Sequence, residues 1–90
     1  MKSDSFQVKF DSRAVRDLRK LRQKVTVIIP SIIKTINSLT DDPYQGKPLK
    51  GNKSGCYSCR IGDYRIIYEI YHAEKTIHII RIGNRKEIYR

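Results

Sequence analysis

Phe6-Gln7-Val8-Lys9-Phe10 alternates apolar and polar residues, the period-two pattern of a half-buried strand. The alternation stops at Asp11-Ser12, either of which can cap a helix N-terminus. Apolar residues then recur at Ala14, Leu18, Leu21 and Val25, the three-and-four spacing of an amphipathic helix. A second helical stripe runs through Ile28, Ile29, Ile32, Ile33, Ile36 and Leu39. Pro30 must sit in its first turn or mark its start, because an interior proline would break the hydrogen-bond ladder. The connection therefore lies within residues 23–30 and implies an antiparallel helical hairpin. Thr40-Asp41-Asp42-Pro43 ends the second helix.

Residues 44–55, "YQGKPLKGNKSG", are rich in glycine, lysine and polar residues and predict a loop. Beyond them the pattern is β. Two apolar-rich runs, 57–61 and 64–71, flank Gly62-Asp63, a two-residue hairpin signal with glycine first. A second reversal at His72-Ala73-Glu74-Lys75 leads into a strand over 76–82. The predicted order is β-α-α-β-β-β in one domain spanning 1–90. This is an α+β fold, with two N-terminal helices on one face of a mainly antiparallel sheet of about four strands. Periodicity does not say where the first strand joins.

A turn at Gly62-Asp63 also fixes the pairing. Ile61 faces Tyr64, Arg60 faces Arg65, Cys59 faces Ile66 and Tyr57 faces Tyr68. One face then carries Tyr57, Cys59, Ile61, Tyr64, Ile66, Tyr68 and Ile70, and would pack on the helices. The other carries Ser58, Arg60, Arg65, Ile67 and Glu69. Like charges directly opposite each other cost stability, so an Arg60–Arg65 pair either splays into water or holds an anion. Lys50, Lys53 and Arg85 can converge on that side, which favours the anion.

Charge sharpens this expectation. Lysine and arginine total 19 against 9 acidic residues, a formal net charge of +10 over 90 residues. Such an excess points to a polyanion, nucleic acid first. The longest apolar run, Val27-Ile28-Ile29, is far below the roughly 20 residues of a membrane span. The N-terminal Met1-Lys2-Ser3-Asp4-Ser5 has no apolar signal core, so a cytoplasmic protein is expected. Cys56 and Cys59 form a C-x-x-C, but no second pair is spaced to complete a zinc site. In a strand their spacing sends them to opposite faces. His72 in a turn and His78 in a strand lack an obvious partner. Glu69 and Glu87 stand alone among bases and suit ion pairing. No cofactor or metal is expected.

An enzyme built on this inventory would work with Arg, Lys and Tyr, and RNA cleavage suits it. RNA carries an internal nucleophile, the 2′-hydroxyl, beside each phosphodiester. Its attack needs alignment, cations around the developing charge, and proton transfer at both ends. Arg65 and Arg85 can clamp phosphate oxygens bidentately. Cations near Tyr89 favour its ionised form, which suits an acid or base. Stacking on an unpaired base, or a lid over the sheet end, fits Tyr89 equally.

Four segments in this order, "AVRDLRKL" at 14–21, "INSLTDDPYQGKPLKG" at 36–51, "YSCRIGDYRIIYEI" at 57–70 and "RIGNRKEIYR" at 81–90, resemble the RelE/ParE superfamily of bacterial toxin–antitoxin toxins. The closer likeness is to its RelE-like ribonuclease branch. The resemblance covers nearly the whole chain. It implies a curved sheet under two helices and translation inhibition under stress by metal-free cleavage of mRNA in the ribosomal (30S) A site. It also implies a cognate antitoxin that wraps the toxin, with operator DNA bound only through that complex. Carried over by position, Arg65, Arg85 and Tyr89 are the catalytic set. Lys50, Lys53, Arg60, Lys86 and Arg90 fall in the basic surround that holds RNA.

The chain departs from the pattern twice. Many relatives have His where Asn84 stands, and asparagine exchanges no proton. Some have lysine where Ser58 stands. Either loss shifts proton transfer onto Tyr89 or weakens activity. The chain stops one residue after Tyr89, so no C-terminal helix is expected over the site. Two rivals follow. One is a non-enzymatic ParE-like toxin that poisons DNA gyrase, a branch that generally lacks the arginine–tyrosine set. The other is an RNA- or antitoxin-binding module with lapsed catalysis.

Overall fold

A computed structural model describes residues 5–51 and 55–88, with the side chains of 87 and 88 excepted. The calls on Lys53, Tyr89 and Arg90 lie outside the described residues. Strand β1 (Gln7–Phe10) leads into α1 (Ser12–Lys24), where Asp11 is the N-cap and accepts the Arg13 N–H. A short 3-10 turn at Thr26–Ile28 joins α1 to α2 (Ile29–Asp41), with Pro30 in the first turn of α2, where a missing N–H costs nothing. β2 (Lys47–Pro48), β3 (Cys56–Ile61), β4 (Tyr64–Tyr71), β5 (Thr76–Asn84) and a single turn of helix, α3 (Arg85–Ile88), follow among the described residues.

The strands form one sheet in the order β1-β5-β4-β3-β2. β1 runs parallel to β5 and the other neighbours are antiparallel. Among the described residues the sheet thus has five strands, where about four were expected. The addition is β2, two residues within the predicted loop that pair Lys47 with Ser58 and Pro48 with Tyr57. The hairpin register is as expected, Ile61↔Tyr64 through Tyr57↔Tyr68. Its apolar face packs with Ala14, Leu21, Ile32, Ile36 and Leu39 of the helices. Burying each of these leucine and isoleucine side chains is worth roughly 1.5–3 kcal/mol. Cys59 is buried on this face, whereas Cys56 pairs with Glu69 on the other.

β5 does not alternate throughout. Ile67 pairs with Arg81 and Tyr68 with Ile79, so Ile80 is an extra residue, a β-bulge. The bulge shifts the side-chain parity, which lets Ile77, Ile79 and Ile82 all join the core. β1 pairs with β5 only over Thr76–Ile79. Beyond it, Asp17 of α1 takes the place of a strand partner. It accepts the Ile82 N–H at 3.0 Å and holds Arg81 through Nε at 2.8 Å and Nη2 at 3.2 Å. This two-point ion pair fixes the end of β5, and with it the start of α3.

Candidate nucleic-acid interface and catalytic cleft

The face away from the helices has an enclosed centre, with Ile67 at 1% and Ser58 at 9% exposure. Cations ring that centre. Gly62 opens the β3–β4 turn at φ +58°, the left-handed region a type II′ turn needs at this position. The turn leaves the Gly62 carbonyl facing the two cross-strand arginines. It accepts from Arg60 Nε at 3.3 Å and Arg65 Nη1 at 3.5 Å, and Arg65 Nη1 also reaches the Tyr64 carbonyl at 3.3 Å. The guanidiniums therefore converge rather than splay apart. Among the described residues no carboxylate pairs with either.

Arg85 joins them through the backbone. Its N–H donates to the Asp63 carbonyl at 3.1 Å, tying α3 to the hairpin turn. Asn84 caps that turn of helix, its Oδ1 accepting the Lys86 N–H at 2.9 Å, as short polar side chains do at an N-cap. Asn84, read above as a departure from the family pattern, thus has a structural role as the cap of α3. Arg60, Arg65 and Arg85 line one cleft of about 340 Å³ with Asn84 and Lys86.

A second cleft adjoins it, sharing Arg60 and Arg65 and adding Lys47, Leu49, Ser58 and Cys59. Lys47 escaped the sequence reading. Its signal was the β2–β3 pairing, which sets it opposite Ser58 and on the face of Arg60 and Arg65. Lys50 is exposed just past β2 and is not among the residues lining these two clefts.

The segment carrying Lys47 is held from the core. Buried Tyr68 donates to the Pro43 carbonyl at 2.8 Å and accepts the Gly46 N–H at 3.1 Å. Gly46 is required there, since a Cβ would lie 2.5 Å from Tyr68 Oη and 2.9 Å from the Ser58 carbonyl. Burial raises the pKa of both the Tyr68 phenol and the Cys59 thiol. Both stay neutral near pH 7, so neither suits a base. His72 stacks on Tyr44 at 5.6 Å, with Nδ1 2.7 Å from its hydroxyl, while His78 packs near Tyr71. Neither histidine lines the clefts. Chemically, the site is a set of preorganised cations suited to a phosphodiester.

Residues 8–89 match the family model of the ParE toxin of type II toxin–antitoxin systems, parDE. Toxin RelG of Mycobacterium tuberculosis is 34% identical over 86 residues, which cover 94% of this chain and 97% of that protein. Toxin RelE of the same organism is 33% identical, over 94% of this chain and 87% of its own length. Among solved structures, the M. tuberculosis RelBE2 toxin–antitoxin complex superposes with a TM-score of 0.77 at 32% identity, covering 90% of this chain and 99% of that one. The isolated Escherichia coli RelE toxin gives 0.74 at 26% identity, covering 94% and 92%.

Proposed function

We propose that this chain, which belongs to the RelE/ParE superfamily and is the toxin of a type II toxin–antitoxin system, is an endoribonuclease cleaving mRNA in the ribosomal A site. The observation that carries the reading is the convergence of Arg60 and Arg65 on the Gly62 carbonyl, with Arg85 in the same cleft. Holding like charges together costs stability, and a bound phosphate offsets that cost. Arg65 and Arg85 clamp the scissile phosphate and neutralise the charge that builds as the 2′-hydroxyl loses its proton and attacks phosphorus, and the P–O5′ bond breaks to leave a 2′,3′-cyclic phosphate and a protonated 5′-hydroxyl. Preorganised donors of this kind supply the largest share of many rate enhancements. Lys47, opposite Ser58, brings a cation to the region where some relatives have lysine. Tyr89 follows α3 in sequence and serves as the proton-transfer group or the stacking platform. Lys50, Lys53, Lys86 and Arg90 hold flanking RNA. A cognate antitoxin neutralises the toxin, in keeping with relatives solved as toxin–antitoxin complexes.

The test expresses wild type, Arg65→Ala, Arg85→Ala and Tyr89→Phe, then maps mRNA ends on translating ribosomes. New ends with wild type and their loss in folded variants support the assignment. Unchanged cleavage by the variants removes the site, and absence of new ends with wild type removes the enzyme. The ParE-toxin model match favours one other reading, a gyrase poison. Stalled gyrase–DNA complexes without RNA cleavage would install it instead.

A further inference from the structure

The clefts are not isolated. The Arg60–Arg65–Arg85 cleft shares Asn84 and Lys86 with a groove of about 530 Å³ between α1 and the end of β5, where Lys20 and Lys24 stand. That groove shares Lys20 with a shallower one carrying Arg13, Arg16 and Arg19 along the outer side of α1. The sole acid of α1, Asp17, is spent on Arg81. Among the described residues Arg16, Arg19, Lys20 and Lys24 have no acidic partner.

A helix arranged only for solubility would not look like this. Arg16, Lys20 and Lys24 repeat at i, i+4, where like charges destabilise. Arg13 is paired with the N-cap Asp11, and no other acid sits in the first turn to offset the cations that follow it. The repeat spacing of about 5–6 Å between such Cβ atoms is comparable to the separation of successive phosphates along a nucleic-acid strand. We propose that the outer ridge of α1 and the Lys20–Lys24–Lys86 groove form one docking track for the phosphodiester backbone of RNA flanking the segment in the cleft. This rests on the RNA reading above and extends it from a site to a path. The recognition is electrostatic and sequence-independent, since no base-reading side chain is required.

The test measures affinity for a short and a long 2′-O-methyl RNA, which bind without being cut, as a function of salt. Each phosphate contact on a single strand contributes about 0.7 to the slope of log K against log salt. The double variant Arg16→Gln/Lys20→Gln should therefore lower the slope on long RNA by about 1.4, leaving the short RNA slope unaltered. The double variant Lys9→Gln/Lys34→Gln removes the same charge away from the track and should keep the wild-type slope on both. Thermal unfolding of each variant reports folding separately. An unaltered slope for Arg16→Gln/Lys20→Gln, or equal losses in both double variants, overturns the track. Loss of antitoxin binding with an unaltered RNA slope also overturns it and assigns the ridge to an acidic protein. Wild type that cleaves message while the α1 pair leaves the slope unmoved sinks the track alone. Wild type that binds neither RNA also overturns the track, whereas the ribonuclease reading falls separately, if wild type leaves no new mRNA ends on translating ribosomes.

Discussion

Replacing Tyr68 by phenylalanine removes one oxygen atom that holds the Lys47 segment in place. Tyr68 is fully buried, and its hydroxyl donates to the Pro43 carbonyl and accepts the Gly46 N–H. Pro43 is buried as well, so its carbonyl finds no water after the change. An unpaired buried acceptor costs about 1–3 kcal/mol. Gly46 is only half-buried, so its N–H is partly rescued by solvent. We expect Tyr68→Phe to cost about 2 kcal/mol, a Tm fall of roughly 8–16 °C for a domain this size. Gly46→Ala should cost about 1–3 kcal/mol by overpacking, because the added Cβ meets the same hydroxyl at 2.5 Å. In the Tyr68→Phe background that closest atom is gone. The two changes should then couple by more than about 0.5 kcal/mol, the limit of additivity for independent sites. Urea unfolding of both single variants and the double variant reads this directly. Additive costs would refute the hold of the Tyr68 hydroxyl on the Lys47 segment.

The same hydroxyl predicts a pH effect. Burial raises the Tyr68 pKa, so the folded state favours the protonated phenol. Its contribution is complete below the ordinary tyrosine value of about 10 and is lost as pH climbs from there towards the raised folded value. Tyr68→Phe should flatten that alkaline loss, and an identical alkaline profile in the variant would count against it.

Three further outcomes are expected. Arg60→Gln should raise stability by about 0.2–1 kcal/mol, by relieving the cross-strand like charge, while weakening RNA binding; a lower urea midpoint would contradict the cost assigned to convergence. Asp17→Asn should lower stability by about 1.5–3 kcal/mol, since it strips the charge from the bonds to Arg81 and Ile82; an unchanged urea midpoint would deny the pair its role. Asp11→Ala should lower the Tm near neutrality. The bond from the Arg13 N–H, then that from its side chain, hold the Asp11 carboxyl below its usual pKa. That contribution is present above the unfolded carboxylate value and lost as pH falls through the lower folded value, so the gap to wild type should close in acid.

The hairpin was legible because Gly62-Asp63 sets a register from which every facing pair follows, including Arg60 opposite Arg65. Both helices were legible from their stripes, and Pro30 located the start of the second. The strand β1 was visible but its neighbour was not, since parallel pairing to β5 is a long-range choice with no local sign. The two residues of β2 are too few for any periodicity, which hid Lys47. The bulge at Ile80 was hidden because strict alternation would put Arg81, not Ile82, beside Ile79. Asn84 was legible as a departure, but its capping role needed α3, a single turn that the terminal segment does not announce.

The central claim is that RNA's own 2′-hydroxyl is the nucleophile and that Arg65 and Arg85 stabilise the phosphate as it attacks. Single-turnover cleavage on ribosomes programmed with mRNA carrying one 2′-deoxynucleotide at the scissile position tests it most directly. The account predicts no cut at that position and a 2′,3′-cyclic phosphate at the cut in unmodified message. It also predicts a fall of about 10²–10³ in rate when either arginine becomes alanine, as for loss of one preorganised donor. Cleavage at wild-type rate beside the deoxynucleotide, or full activity without Arg65 and Arg85, would contradict it.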